Sequence, residues 1–167
     1  IIILFSDAEE LGLNGAALFV TQHPWAKEVG LALNFEARGS SGPSYMLMET
    51  NKGNAGLVNE FSKAGVTYPV SNSLMYSIYK MLPNDTDLTV FREKGNIQGL
   101  NFAFIDDHYN YHTQQDDAQH LAKNTLAHQG RYLMPLLTYF SNANLDAVKA
   151  TEDEVYFTIP FTFISYP

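Results

Sequence analysis

Continuous apolar runs alternate with amphipathic stretches along the chain. The runs are rich in β-branched and aromatic residues, which is typical of strands buried on both faces of a sheet. They predict strands at residues 1–5, 29–35, 45–49, 100–105 and 155–164. The amphipathic stretches predict helices over residues 12–22, 54–64, 73–82, 86–94 and 118–140. This alternation predicts the α/β class, as a three-layer α/β/α sandwich around a mixed, largely parallel sheet.

Proline and glycine mark the ends of most of these elements. His23-Pro24 and Pro83-Asn84 each end a predicted helix, because proline lacks the N–H group that a helix needs. Gly65 and Gly95 follow two other helices and are predicted to close them. Pro160 indicates an edge or a bulge in the last strand.

Length and composition narrow the classes of function. The chain has 167 residues, the length of about one domain, and we assign residues 1–167 to a single domain. Its net charge of -8 argues against nucleic-acid binding, because Lys and Arg must neutralise phosphates. Metal ions stay compatible with it, since carboxylates are their ligands. The chain has no cysteine, which excludes a disulfide scaffold, a thiolate zinc site and a thiol nucleophile.

Both ends of the sequence lie inside apolar segments. The chain opens on Ile1-Ile2-Ile3-Leu4-Phe5, without Met or a signal peptide, and stops in an aromatic stretch at Pro167. We therefore expect the sequence to be an excised part of a longer protein.

Carboxylates and histidines follow three of the predicted strands. Residues 7–10 (Asp-Ala-Glu-Glu) come after the first strand, Glu36 ends the second, and His108 and His112 lie in a polar loop after the fourth. Functional residues in open α/β sheets gather at the carboxyl ends of strands. Asp, Glu and His are the ligands of a zinc site without thiolates. Such a site lowers the pKa of a bound water to about 7, and a neighbouring carboxylate can act as the general base.

The same residues also have structural interpretations. The Glu9-Glu10 pair would stabilise the first turn of the following helix. Glu36 would form a salt bridge with Arg38 or anchor a loop. His112, a single loop histidine, would be structural. From the residues alone, both interpretations stay open.

Four motifs in order resemble peptidase family M28, the zinc peptidases that include leucyl-type aminopeptidases and glutamate carboxypeptidase. The first is residues 4–16, Leu-Phe-Ser-Asp-Ala-Glu-Glu-Leu-Gly-Leu-Asn-Gly-Ala. The others are residues 34–39 (Asn-Phe-Glu-Ala-Arg-Gly), Asp85-Thr-Asp87 followed by Phe91, and Tyr111-His-Thr113. The motifs cover nearly the whole chain. The resemblance implies the zinc-exopeptidase fold, truncated at its N-terminus, and a peptide substrate.

The resemblance also implies a role for each matching residue. Glu9 would be the general base that activates the water. Glu10 and His112 would bind one zinc ion. Glu36 would bind the second, where most of the family has Asp.

Three other residues receive roles from the same resemblance. Tyr111 would stabilise the oxyanion of the tetrahedral intermediate, and Arg38 would contact the substrate. Asp7 would orient the turn beside it. Together they describe a metallopeptidase of the aminopeptidase type.

One departure from the family pattern limits what this chain does alone. The bridging Asp and the other zinc-binding His lie upstream of the acidic turn in the family, and this chain does not contain them. We therefore expect it to bind zinc weakly or not at all and to be inactive by itself. We also expect an incomplete sheet, whose exposed edge permits self-association.

The sequence of residues 34–43 most resembles the membrane-anchored branch of the family, found in endoplasmic reticulum and vacuolar membranes and in bacterial relatives. That branch implies a membrane-anchored protein and an extracytoplasmic location. Two alternatives remain. One is a glutaminyl cyclase-like zinc acyltransferase, although such enzymes have Trp where this chain has Tyr111. The other is a non-catalytic ectodomain that kept the fold and lost the metal.

Overall fold

A mixed sheet organises the fold. The computed structural model describes residues 1–82 and 84–167, and within them three strands form this sheet. The strands β1 (Ala32–Ala37), β2 (Ser41–Glu49) and β3 (Gly99–Asp106) lie in the order β1-β3-β2. The central strand β3 pairs in parallel with β1 and antiparallel with β2. The α/β class expected from the sequence is confirmed.

Helices and one hairpin surround the sheet. The α-helices of the described residues are α1 (Asn14–Gln22), α2 (Ala55–Lys63), α3 (Ser73–Tyr79), α4 (Asp87–Gly95) and α5 (Lys123–Phe140). Short 3-10 helices lie at Pro24–Glu28, His108–Asn110 and Leu145–Val148. An antiparallel hairpin near the end of the chain consists of β4 (Val155–Ile159) and β5 (Thr162–Tyr166).

The two faces of the sheet have opposite character, because successive side chains of a strand point to opposite sides. One face is apolar and packs against α2 and α5, forming the main core. The other carries Asn34, Glu49 and Asn101 and faces α4. α1 packs in turn against α4. The polar side of the sheet is therefore the side where a functional site can form.

Phe102 lies at the centre of the apolar core. Its side chain is fully buried, and its ring centroid lies 4.7 Å from that of Phe35 and 4.8 Å from that of Tyr132. Met46, its register partner on β2, is also fully buried. The ring of Phe102 thus joins β1, β3 and α5 in one aromatic cluster.

His128 on α5 connects three segments. The backbone N–H of Ser44 donates to Nδ1 of His128 over 3.0 Å, so the ring carries its proton on Nε2 and donates to the Tyr68 carbonyl, also over 3.0 Å. Since Ser44 is fully buried, its N–H has no water to replace this partner.

Replacing His128 with Phe is expected to lower the free energy of unfolding by about 1–3 kcal/mol, because the ring remains while the Ser44 N–H loses its acceptor. Urea denaturation followed by circular dichroism measures this loss. The matched control is His120→Phe at an exposed histidine, with an expected change within about 0.5 kcal/mol. Equal stability of the two variants would contradict the connecting role of His128.

The helices expected from the sequence are largely confirmed. Residues 54–64 correspond to α2, and Gly65 follows with a φ of +70° in the left-handed region. The helix over residues 86–94 is also present, but its left-handed terminal residue is Asn96 at φ +52° rather than Gly95. Asparagine tolerates this conformation because its short side chain can hydrogen-bond locally. The predicted break at Pro83-Asn84 involves Pro83, which lies outside the described residues.

The strand predicted at residues 1–5 is wrong. These residues belong to neither helix nor strand, with Ile1 81% and Phe5 94% exposed. Apolar β-branched residues favour strands only where a neighbouring strand can pair with them. Within the described part of the chain, β1 pairs with β3 alone, and its other edge pairs with nothing.

Other boundaries differ for reasons of pairing. The last strand, predicted over residues 155–164, is the β4–β5 hairpin, and Pro160 lies in its turn, consistent with its missing N–H group. Residues 41–43, predicted as loop, belong to β2, because Ser41 pairs with Asp106 across a bulge at Gly42. The longest helix, predicted from residue 118, begins at Lys123. No helix in residues 1–82 or 84–167 has both the length and the hydropathy that a membrane crossing requires.

Candidate active site

A cleft of about 660 Å³ lies over the polar side of the sheet. Its floor is formed by side chains of β2 and β3 (Leu47, Asn101, Ala103 and Ile105) and its rim by charged and aromatic residues. The rim contains the six residues to which the resemblance gives a catalytic, metal-binding or substrate-binding role: Glu9, Glu10, Glu36, Arg38, Tyr111 and His112. Asp7 and His108 do not line the cleft. Three segments that are far apart in the sequence therefore meet in one place.

Backbone hydrogen bonds hold the acidic turn against the start of α1. The Glu9 carbonyl accepts from the N–H groups of Gly12 and Leu13, over 3.0 and 2.8 Å. The Gly15 N–H donates to the Asp7 carbonyl over 3.0 Å. A Cβ on Gly15 would lie 2.4 Å from that oxygen, so only glycine permits this approach. No side chain of the described residues caps α1, so the helix-capping interpretation of Glu9-Glu10 is wrong.

Glu10 and His112 are in direct contact. The distance between Glu10 Oε1 and His112 Nε2 is 2.6 Å, and both side chains are more than half exposed. The ring of Tyr111 stacks on that of His112 with a centroid distance of 3.8 Å. The backbone N–H of His112 donates to Asp116 Oδ2 over 3.3 Å. The contact brings two of the three predicted zinc ligands together.

Glu36 enters the cleft from β1. Its Oε1 accepts from the side-chain amide of Asn34 over 3.0 Å, and its backbone carbonyl accepts from Gln129 of α5 over 2.8 Å. Burial raises the pKa of the Glu36 carboxyl to about 6; the Asn34 hydrogen bond opposes the rise, and the negative charges of Glu9 and Asp87 add to it. Within the described residues, Glu36 and Arg38 form no ion pair within 4.0 Å, so the predicted alternative of a Glu36–Arg38 salt bridge is wrong.

The electrostatics of the cleft are dominated by its carboxylates. Burial raises the pKa of Glu9, and the charges of Glu10 and Asp87 raise it further, against the influence of Arg38 and His112. A raised pKa improves a carboxylate as a base near neutral pH. Burial and the charge of Glu10 also raise the pKa of the Tyr111 hydroxyl, which keeps its proton available for donation.

The donor atoms of the cleft suit zinc by type, since carboxylate oxygen and imidazole nitrogen are its ligands in thiolate-free sites. Glu10 and His112 supply one such pair at contact distance. Among residues 1–82 and 84–167, no group of three His, Asp or Glu side chains is close enough to hold one ion. Glu36 lines the same cleft but stands apart from the pair. The cleft residues therefore match zinc in the type of donor atom, and they supply only part of the ligand set that one ion needs.

A polar layer beneath the cleft was not predicted from the sequence. It contains Asn34, Asn101, Thr86, Glu49 and Arg92, which are linked by hydrogen bonds and an ion pair. The signal was present, because Asn34 and Asn101 each interrupt an apolar run as the middle residue of Leu-Asn-Phe. Asparagine is depleted in strands, so two such interruptions require an explanation.

The chain matches the family model described as Peptidase family M28 over residues 1–137. It is similar to endoplasmic reticulum metallopeptidase 1 of Homo sapiens, with 30% identity over 173 residues that cover 100% of this chain and 19% of that protein. The protein of the same name from Rattus norvegicus is 31% identical over 147 residues, 87% of this chain and 16% of that protein.

A vacuolar membrane protease of Candida dubliniensis is 31% identical over 169 residues, 100% of this chain and 17% of that protein. The chain thus spans less than a fifth of the length of these relatives. No solved structure matches it.

Proposed function

This chain belongs to peptidase family M28, and from that membership we propose that it supplies the acidic turn and part of the zinc-binding site of an exopeptidase of the aminopeptidase type. The observation that carries the proposal is the meeting of Glu9, Glu10 and Glu36 with Tyr111-His112 in one cleft. Each of these residues comes from a motif that resembles the family, and they share a solvent-filled site large enough for a peptide end.

Glu10 and His112 would hold one zinc ion, and Glu36 would hold a second. Zinc supplies Lewis acidity, which lowers the pKa of water and polarises a carbonyl. Burial raises the pKa of the Glu36 carboxyl, and the charges of Glu9 and Asp87 add to the rise, so a cation beside Glu36 would favour its ionised form.

Glu9 would be the general base. Its carboxylate accepts a proton from the water that attacks the peptide carbonyl and donates it to the leaving nitrogen. Tyr111 would donate its hydroxyl proton in a hydrogen bond to the developing oxyanion. Arg38 lines the same cleft and would orient the substrate through its guanidinium group, which binds carbonyl or carboxylate oxygens.

We further propose that the chain alone is inactive. It provides Glu10, Glu36 and His112, while the family resemblance implies a bridging Asp and a second His in addition. The names of the relatives support a setting at an endoplasmic reticulum or vacuolar membrane. From the family resemblance we place the peptidase site on the extracytoplasmic side. We also propose self-association through strand pairing at β1, whose second edge pairs with no strand of residues 1–82 or 84–167.

Zinc binding tests the proposed site on the chain itself. We expect weak binding of zinc in calorimetric titration, and a Kd raised at least about tenfold by His112→Ala or Glu10→Gln, since even outer hydrogen-bond partners of a metal site contribute that much. The matched control is His120→Ala, which removes a histidine paired with Asp117 at 2.9 Å in the same exposed setting. Equal effects of His112→Ala and His120→Ala would contradict the proposed site, and so would the absence of binding at saturating zinc in the longest natural form of the protein that contains these residues.

A further inference from the structure

Two asparagines lie side by side beneath Glu36. β1 and β3 each contain the sequence Leu-Asn-Phe, and the parallel register aligns the two copies residue for residue, with Asn34 opposite Asn101. The Asn34 amide donates to Asn101 Oδ1 over 3.1 Å. Asn101 is only 2% exposed. Both side chains point to the polar side of the sheet, towards the cleft and α4.

Every amide hydrogen of this pair has an acceptor. The Asn34 amide also donates to Glu36 Oε1 over 3.0 Å. The Asn101 amide donates to Glu49 Oε1 and to Thr86 Oγ1, each over 3.2 Å. Carboxylates only accept hydrogen bonds, so Glu36 at one end and Glu49 at the other fix the direction of both amides.

The far end of this hydrogen-bonded chain is anchored. Glu49 is 1% exposed, and its Oε2 lies 3.5 Å from Arg92 Nε of α4. Thr86 is also buried, immediately before α4, where its N–H donates to Thr89 Oγ1. Hydrogen bonds hold a buried polar network in one arrangement, and all four amide hydrogens of this pair are bonded. The fixed arrangement therefore extends from α4, through the side-chain amides of Asn101 and Asn34, to the Oε1 atom of Glu36.

Strand stability does not explain the pair. Asparagine is unfavourable in strands, and an amide in the interior costs free energy unless it is fully hydrogen-bonded. An apolar pair at the same register would pack without this requirement. The series of hydrogen bonds ends in the cleft at Glu36. Its Oε1 atom accepts from Asn34, and its Oε2 atom has no hydrogen-bond partner among the described residues.

We propose that Asn34, held by Asn101, is a positioning residue that orients Glu36 so that its free Oε2 faces the cation of the cleft. The inference rests on the proposed function, since it assigns Glu36 a metal to bind. The geometry of this ligand is thereby set from α4, through Thr86, Asn101 and Asn34, none of which is a proposed metal ligand.

A cobalt titration of the chain tests the positioning role. Co²⁺ reports binding through its visible absorption, whose intensity depends on coordination. Asn34→Leu keeps the side-chain size and removes both donors, and it is expected to raise the Kd for Co²⁺ by about 10- to 100-fold and to change the absorption spectrum. Asn34→Thr, a substitution that strands accept readily, provides a second variant in case the first fails to fold.

The matched control is Leu33→Ala. It weakens the same strand on the opposite, apolar face, and it leaves the amide pair in place. It is expected to lower stability without changing the Kd for Co²⁺ or the spectrum. A change in Kd equal to that of Asn34→Leu would mean that the effect is a general loosening of β1, and the inference would be overturned.

A double-mutant cycle with Glu36→Gln shows whether Asn34 acts through Glu36. In the Glu36→Gln background, Asn34→Leu is expected to have no further effect on the Kd. A full effect in that background would overturn the inference, and so would an unchanged Kd for Asn34→Leu alone while Glu36→Gln weakens binding. If the longest natural form of the protein that contains these residues binds no Co²⁺ either, the proposed function fails and the positioning role fails with it.

Discussion

Replacing Glu9 with Gln is expected to lower kcat for peptide hydrolysis by about 10²- to 10⁴-fold, the range that loss of a general base produces. Glutamine has nearly the same size and accepts no proton from the attacking water. The acidic turn should keep its shape, because it is held by backbone hydrogen bonds from Gly12, Leu13 and Gly15. The loss should therefore appear in catalysis and not in folding.

The measurement uses the longest natural form of the protein that contains these residues, with a panel of aminoacyl and peptide substrates. Zinc content is determined on the same samples and is expected to be unchanged. Glu28→Gln, the same replacement at an exposed site in the 3-10 helix Pro24–Glu28, is the control. Turnover retained by Glu9→Gln would remove Glu9 from the base role, and a loss of zinc would make it a ligand instead.

Replacing Phe102 with Ala is expected to lower the free energy of unfolding by about 3–5 kcal/mol, the cost of removing a fully buried aromatic side chain. The void would separate the rings of Phe35 and Tyr132, which now pack against Phe102 from β1 and from α5. Phe102→Leu fills most of that void and should cost less.

Urea denaturation of the chain measures this loss. The control is Phe5→Ala at a side chain that is 94% exposed, where the change should stay within about 0.5 kcal/mol. If both alanine variants lost the same stability, Phe102 would not be the centre of the core. Since Gln129 of α5 also binds the Glu36 carbonyl, Phe102→Ala should disturb the cleft as well.

The elements that could be predicted are those in which one local pattern decides the structure. α2 agrees with the prediction to within a residue at each end, because its amphipathic spacing and Gly65 suffice to define it. Residues 1–5 have an equally clear pattern, but a strand depends on a partner that lies elsewhere in sequence. For the same reason the loop at residues 41–43 became part of β2, since pairing with Asp106 decided it.

The candidate site also contains features that the sequence predicts and features that depend on residues far apart in the chain. The rule that the carboxyl ends of parallel strands share one edge accounts for Glu36 and His112, which lie at the end of β1 and after β3. Glu10 reaches the same cleft although the strand predicted before it is absent. Their roles stay predictions. The contact of Asn34 with Asn101 could not be predicted, because it depends on the register between two strands and the two residues lie 67 positions apart. Register is a property of the assembled sheet and not of either strand.

The aligned Leu-Asn-Phe sequences also protect the sheet against a specific folding error. Side chains alternate with a period of two, so sliding β1 by two residues along β3 would leave every apolar residue on the apolar side. Hydrophobic burial alone would barely oppose that slip. It would, however, move Asn34 opposite Gly99 or Ala103, and the Oδ1 atom of the buried Asn101 would lose its donor. The asparagine pair thus favours the correct register of β1 and β3. The same two side chains that position Glu36 in the cleft would destabilise a sheet with a shifted register.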